Sequence, residues 1–242
     1  MMNKNWEKEL RDIAEPTKVT ILSSFFKTGS GQYGEGDRFI GINVPANRAI
    51  SKDYAFSPLE EIREMLDSPI HEFRLAGLLA LVERYKKSRK NPDEQNLIVD
   101  FYLNNMHKCN NWDLVDLSAP YILGEHLLKN PDDELLMRLS LSPTLWIQRI
   151  AIVATHPMIR AGKFDATLRL AERYISHKHD LIHKATGWML REIGKHGGIE
   201  TLTAFLDRHA PSMPRTMLRY SIEKLPPQMY LKYLKLQSPK YN

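Results

Sequence analysis

The sequence predicts an all-α fold, a curved solenoid of stacked antiparallel helix pairs with a concave basic groove. Three observations carry that expectation. Apolar residues recur at helical spacing in stretch after stretch, with few strand signals between them. The connections are short and contain Pro, Gly, Asn or Asp. Finally, a basic residue stands two places before a small one in three stretches that read as inner helices: Arg74 with Ala76, Arg149 with Ala151, and Lys184 with Thr186. Arg74 and Arg149 lie about two units of the spacing that separates Arg149 from Lys184, and the missing unit falls near Trp112. The repeat is then roughly 35 to 38 residues, the length of one helix pair. Such pairs cannot bury their apolar faces alone, so they stack, and their inner helices line the concave side. An ordinary helical bundle is the competing arrangement.

Ser57, Pro58 and Glu60 offer a cap, a first helical residue and a capping-box partner for a helix through Leu66 that stops near Ser68 and Pro69. From His71 to Lys87 apolar residues cover so much of the circumference that this helix must be contacted on several sides. Asn91 and Pro92 open a helix toward Met106, Trp112 to Leu123 makes one ending at Gly124, and Pro131 to Leu141 another. Thr144–Thr155, Phe164–Ser176, Asp180–His196 and Ile199–His209 follow, joined by tight turns with no long linker, so residues 1–242 read as one repeat domain with a tail or cap from 211.

At 242 residues and 43% apolar, the chain can bury a sizeable core, which excludes a wholly disordered protein. Its formal charge of +5 suits an anionic partner only if the cations gather on one surface. A lone cysteine, Cys109, excludes an intrachain disulfide and reads as a buried apolar side chain, and no Cys pair has zinc-ligand spacing. Charges at the amino terminus and the lack of a long apolar run point to a soluble, cytoplasmic protein with no membrane association.

Trp112 and Asp116 are four residues apart and share a face of one helical turn, either as a partly buried ring beside a solvated acid or as a site. Lys184, Trp188, Arg191 and Lys195 form one stripe. It is a solvated charged face around one core ring, or a surface that neutralises phosphates while the ring packs on sugar or base. Arg149 sits in an apolar run after Trp146, itself read as core, and needs a partner, either an internal carboxylate or a bound phosphate. Gly29-Ser30-Gly31-Gln32-Tyr33-Gly34 matches a dinucleotide fingerprint in letters only. A helix end at 23–27 precedes it where a strand is required, so it reads as a flexible loop that Gly36 and Asp37 extend toward a turn at Gly41–Pro45. His177 and His179 have no third ligand in view, which leaves no metal site, and Cys109 has no base beside it.

Four stretches together resemble the AlkD-like family of DNA alkylation repair glycosylases, in which HEAT-like helix pairs wrap a DNA duplex. They are Phe39–Arg48, Trp112–Asp116, Trp146–Arg149 and Gly187–Glu192, in the family's order, with the likeness running from about residue 25 to 192 and fading after Ala204. The resemblance implies hydrolysis of the N-glycosidic bond of cationic alkylated purines, of the 3-methyladenine and 7-methylguanine type, in double-stranded DNA. It implies a monomer that uses no cofactor and does not draw the damaged base into a pocket. Its cleft residues fall on Trp112, Asp116, Arg149 and Trp188. Asp116 would stabilise the oxocarbenium-like sugar and guide water, the tryptophans would pack on deoxyribose and backbone, and Arg149 would hold a phosphate. Lys184, Arg191, Lys195, Arg74 and Asn43 complete the expected DNA contacts. The chain departs from the family where Asn43 stands in place of a glutamine, where Phe25 or Phe26 replaces a tyrosine, and in the loop Gly34–Asp37. The alternative function is a non-catalytic HEAT-like module that binds DNA or a protein partner.

Overall fold

The computed structural model describes residues 4–236, so the expected tail is described only to residue 236. The chain is all-α, and among the described residues the one β-type pairing is an isolated bridge between Arg38 and Ile70. It divides into two compact units, residues 1–123 and 124–242.

Unit 1 contains α1 (Lys4–Asp12), α2 (Val19–Phe25), α3 (Val44–Ser51), α4 (Leu59–Leu66), α5 (His71–Lys87), α6 (Pro92–Asn105) and α7 (Trp112–Asp116). Every residue of α5 from His71 to Val82 is buried, as the helix is contacted by α3, α4, α6 and α7. The expected bounds of α5 agree with the structure. Asn91 caps α6 by accepting the Glu94 N–H at 3.1 Å, with Pro92 supplying a first residue that has no N–H to satisfy. Ser57 does not cap α4; that helix starts at Leu59 after an extended Pro58, with no side-chain cap bond.

Unit 2 contains α8 (Glu125–Lys129), α9 (Asp133–Ser140), α10 (Leu145–Val153), α11 (His156–Arg160), α12 (Asp165–Tyr174), α13 (Asp180–Lys195), α14 (Ile199–His209), α15 (Arg215–Ile222) and α16 (Pro227–Leu234). Helix α13 is its centre and packs on α10, α11, α12, α14 and α15. Helix α15 has the most extensive contact with α13, so the chain beyond residue 211 is part of this packing as far as it is described.

The expected single helix over Trp112–Leu123 is broken. Pro120 has no N–H to return to the carbonyl four residues back, and the chain widens into a π-turn over Pro120–Gly124 before continuing as α8. Gly124 is accordingly no helix end. It keeps helical dihedrals, and a Cβ there would lie 2.4 Å from the Ala154 carbonyl oxygen.

Close approach also explains Gly187 in the middle of α13. A Cβ at this position would meet the Met217 carbonyl oxygen and the Tyr220 Cβ, both at 2.5 Å, so α13 and α15 could not pack at this distance with any larger residue. Gly187→Ala is therefore expected to lower the stability of unit 2 by about 1–3 kcal/mol, the usual cost of overpacking, despite the better helix propensity of alanine. Urea unfolding of the variant measures it; an unchanged or higher midpoint would refute the close-packing account.

Candidate active site

In unit 1 the site is assembled on the first turn of α5, where three charged or polar side chains are buried close together. Glu72, 1% exposed, accepts the backbone N–H groups of Ile40, Gly41 and Ile42 at 2.8 to 3.2 Å. Three consecutive amides can converge on one carboxylate because Gly41 adopts φ +93°, and any Cβ there would strike the Glu15 carbonyl oxygen at 2.0 Å. Asn47 of α3 locks the same turn by donating to the Glu72 carbonyl oxygen at 2.7 Å. The Phe39–Arg48 stretch thus owes its sequence to a structural anchor, and Asn43 serves as the N-cap of α3, accepting the Ala46 N–H at 2.9 Å.

His71 bridges two carboxylates, Nδ1 to Asp37 at 3.0 Å and Nε2 to Asp113 at 2.8 Å. Asp37 also pairs with Arg74 and accepts the Asn110 amide at 2.8 Å and the Asn111 amide at 3.4 Å. Arg74, 6% exposed, further donates to the Ser68 carbonyl and to Asn110. Arg74 thereby acts as an internal strut that ties α5 to Asp37, Ser68 and Asn110. The glycine-rich loop, meanwhile, is pinned at Asp37, which corrects the expectation that it is flexible throughout. Burial opposes ionisation of Asp37, but hydrogen bonding from His71 and the charge of Arg74 prevail and hold it at about 2. Burial likewise opposes a charge on His71, and Asp113 and Asp37 together raise it to about 9.

The pinned segments bring four rings together. Phe26 stacks on Trp112 with centroids 5.2 Å apart and on Phe39 at 5.0 Å, while Phe25 meets Trp112 edge-on at 5.7 Å. They border a largely apolar recess of about 440 Å³ whose lining includes both Trp112 and Asp116. Two further acids reach its wall, Glu72 and Asp113, and these are the carboxylates already held by the backbone amides and by His71. Trp112 and Asp116 are both half-buried, and Phe25 is 59% exposed at the recess. In this unit the structure brings together the two sequence-selected residues and adds Phe25, Phe26 and Phe39 around them.

In unit 2 Arg149 is 5% exposed and donates to the Leu181 carbonyl oxygen at 2.6 Å, a backbone partner in the first turn of α13. Trp188 lies seven residues further along α13, roughly 10 Å by helical rise. It is half-buried, donates from Nε1 to Glu192 at 3.2 Å, and has the His156 ring 5.9 Å away. The basic stripe is matched by acids: Lys184 with Asp180 at 2.7 Å, Lys195 with Glu192 at 2.7 Å, and Arg191 with Glu223 at 2.5 Å. Glu192, 3% exposed, is the hub. Burial favours its neutral form, but the Lys195 hydrogen bond and nearby cations outweigh this and lower its pKa. Sequence reasoning missed Asp37, His71, Glu72, Asp113 and Glu192. The His71-Glu72-x-Arg74 cluster opening an apolar run was the available signal for three buried polar side chains.

Among the described residues no group of three or more His, Cys, Asp or Glu side chains is arranged to hold a metal, and no helix is long and apolar enough to cross a membrane. Trp146 and Cys109 are buried, as read from the sequence.

The sequence matches the family model described as DNA alkylation repair enzyme over residues 6–225, a span that crosses both units and continues past Ala204, beyond the expected extent of the likeness. Among solved structures the chain is similar to one described as a predicted DNA alkylation repair enzyme from Enterococcus faecalis. The TM-score is 0.66 at 14% identity, with 88% of this chain and 97% of that one covered, a likeness that concerns the fold. No curated protein sequence matches significantly.

The His71 bridge sets a pH profile. A group whose folded pKa is raised from 6.5 to about 9 adds stability that is fully present below pH 6.5 and is lost as pH rises through about 9. Asp37, depressed from 3.8 to about 2, adds stability present above pH 3.8 and lost as pH falls through about 2. Denaturant unfolding across this range is expected to show an alkaline decline between pH 6.5 and 9 that His71→Gln removes. An equal decline in the variant would take His71 out of the account.

Proposed function

The chain belongs to the DNA alkylation repair enzyme family, and from that premise we propose that it is a monofunctional DNA glycosylase. Its substrates are cationic alkylated purines of the 3-methyladenine and 7-methylguanine type in double-stranded DNA. The supporting observation is the recess of unit 1, where the Asp116 carboxylate shares an aromatic lining with Trp112. A purine alkylated at N3 or N7 carries a positive charge and departs as a neutral base, so no acid has to protonate it. The electron pair of the C1′–N bond leaves with the base, and positive charge develops on the sugar. A carboxylate beside that sugar stabilises the charge, orients the attacking water and accepts its proton. Aromatic faces add attraction for the developing cation and keep bulk water away. Trp188 and Arg149 are taken, by the family resemblance, as contacts to the DNA backbone. Such a reaction needs neither metal nor organic cofactor, and the protein is read as a monomer acting as one repeat domain.

Release of free base from duplex DNA carrying 7-methylguanine or 3-methyladenine is the decisive measurement. The Asp116→Asn variant is expected to lose release by about 10²- to 10³-fold, the usual cost of removing a group that stabilises transition-state charge, while still binding the duplex. Release within a few-fold of the parent would remove Asp116 from the chemistry. Duplex binding by the parent without any release would instead favour a non-catalytic DNA-binding module.

A further inference from the structure

We propose that a second recess, on unit 2 where α12 passes into α13, is a binding subsite for a backbone phosphodiester of duplex DNA. The proposal rests on the DNA-acting reading above but uses none of the residues placed at the reacting sugar. The recess has a volume of about 540 Å³, and its lining contains Arg173, Lys178, His177, His179, Gln148 and Ser176 and no carboxylate. Arg173 and Lys178 are exposed and form no ion pair among the described residues. That sets them apart from the stripe of α13, where Lys184, Arg191 and Lys195 are all matched by acids.

The wall behind these cations is built from side chains fixed by hydrogen bonds. His177 Nδ1 accepts the His179 N–H at 3.0 Å, so its proton lies on Nε2, which donates to Gln148 Oε1 at 2.8 Å. Gln148 in turn donates to the Ser142 carbonyl at 2.7 Å. His179 Nδ1 accepts the Leu181 N–H at 3.2 Å, which places its proton on Nε2 as a donor. Asp180, the acid next in sequence, pairs with Lys184 at 2.7 Å and is not part of the lining. A site with a guanidinium fork, an ammonium and an imidazole N–H, and no acid in its lining, matches the two non-bridging oxygens and single charge of a phosphodiester.

Fluorescence anisotropy with an undamaged duplex over a salt series tests the assignment, comparing the full chain with Arg173→Ala/Lys178→Ala and with the charge-balanced control Lys232→Gln/Asp207→Asn. The Arg173→Ala/Lys178→Ala variant is expected to flatten the dependence of log K on log salt by about 0.9, the slope of the one phosphate that is no longer neutralised. Lys232→Gln/Asp207→Asn, which removes the cation and the acid of a matched surface pair together, is expected to leave the slope unchanged. An Arg173→Ala/Lys178→Ala variant with the parental slope, or a parent with no salt-dependent binding, would overturn the subsite. Because the readout is binding of undamaged DNA, an unchanged slope in that variant leaves the Asp116 test of base release unaffected. Loss of the glycosylase reading, seen as binding without release, equally leaves the subsite standing.

Discussion

Burying ionised groups is costly unless each finds a partner, and unit 1 is organised around meeting that requirement at the carboxylate of Asp37. Asp37 gathers Arg74 and His71 from α5 together with Asn110 and Asn111 from the segment before α7. A five-residue helix such as α7 has no stability of its own. Its position is imposed from outside, by Asn111 accepting the Trp112 N–H at 2.9 Å and by His71 holding Asp113. Release of Asp37 would leave a buried guanidinium without its carboxylate. It would also free the loop that carries Phe39 and the turn that presents Trp112.

The same constraint acts in unit 2 with a different outcome. Glu192 is buried in the last turns of α13 and draws Trp188, Arg191 and Lys195 toward itself. Cations that look like a phosphate-binding stripe in the sequence are thereby committed to carboxylates of their own unit. Arg149 donates to a backbone carbonyl in the first turn of α13, which ties α10 to the start of that helix. The cations of unit 2 that line a recess without a carboxylate are Arg173 and Lys178, beside His177 and His179, and they lie outside the stripe.

Legibility from sequence followed the range of the interactions. Helices α5, α6, α10 and α13 were readable because apolar spacing, caps and prolines are local signals. Trp112 and Asp116 were readable as a pair because four residues is one helical turn. The neutralised lysines are local as well, since Asp180 precedes Lys184 by four and Glu192 precedes Lys195 by three, and the stripe looks like open charge only when those acids are left out. Asp37 was not legible, because its partners lie 34 to 74 residues away and a carboxylate in a glycine-rich loop carries no local mark of burial. The break after α7 lay in Pro120, whose missing N–H a continuous helix cannot accommodate.

The composition of the unit 1 recess bears on which chemistry it can assist. A lining made largely of carbon gives little to a substrate that must be hydrogen-bonded edge by edge, but it strengthens any charge interaction inside it by excluding water. Its ionisable groups besides His71 are carboxylates set among aromatic faces, which on the proposed reading suits a guest that becomes cationic as it reacts. An anionic transition state would be opposed by both the acids and the ring faces. That polarity matches loss of a cationic purine, where the positive charge passes from base to sugar. It also divides the roles on the proposed reading, with neutralisation of the phosphate backbone falling to unit 2, since none of the residues lining the unit 1 recess is a lysine or arginine.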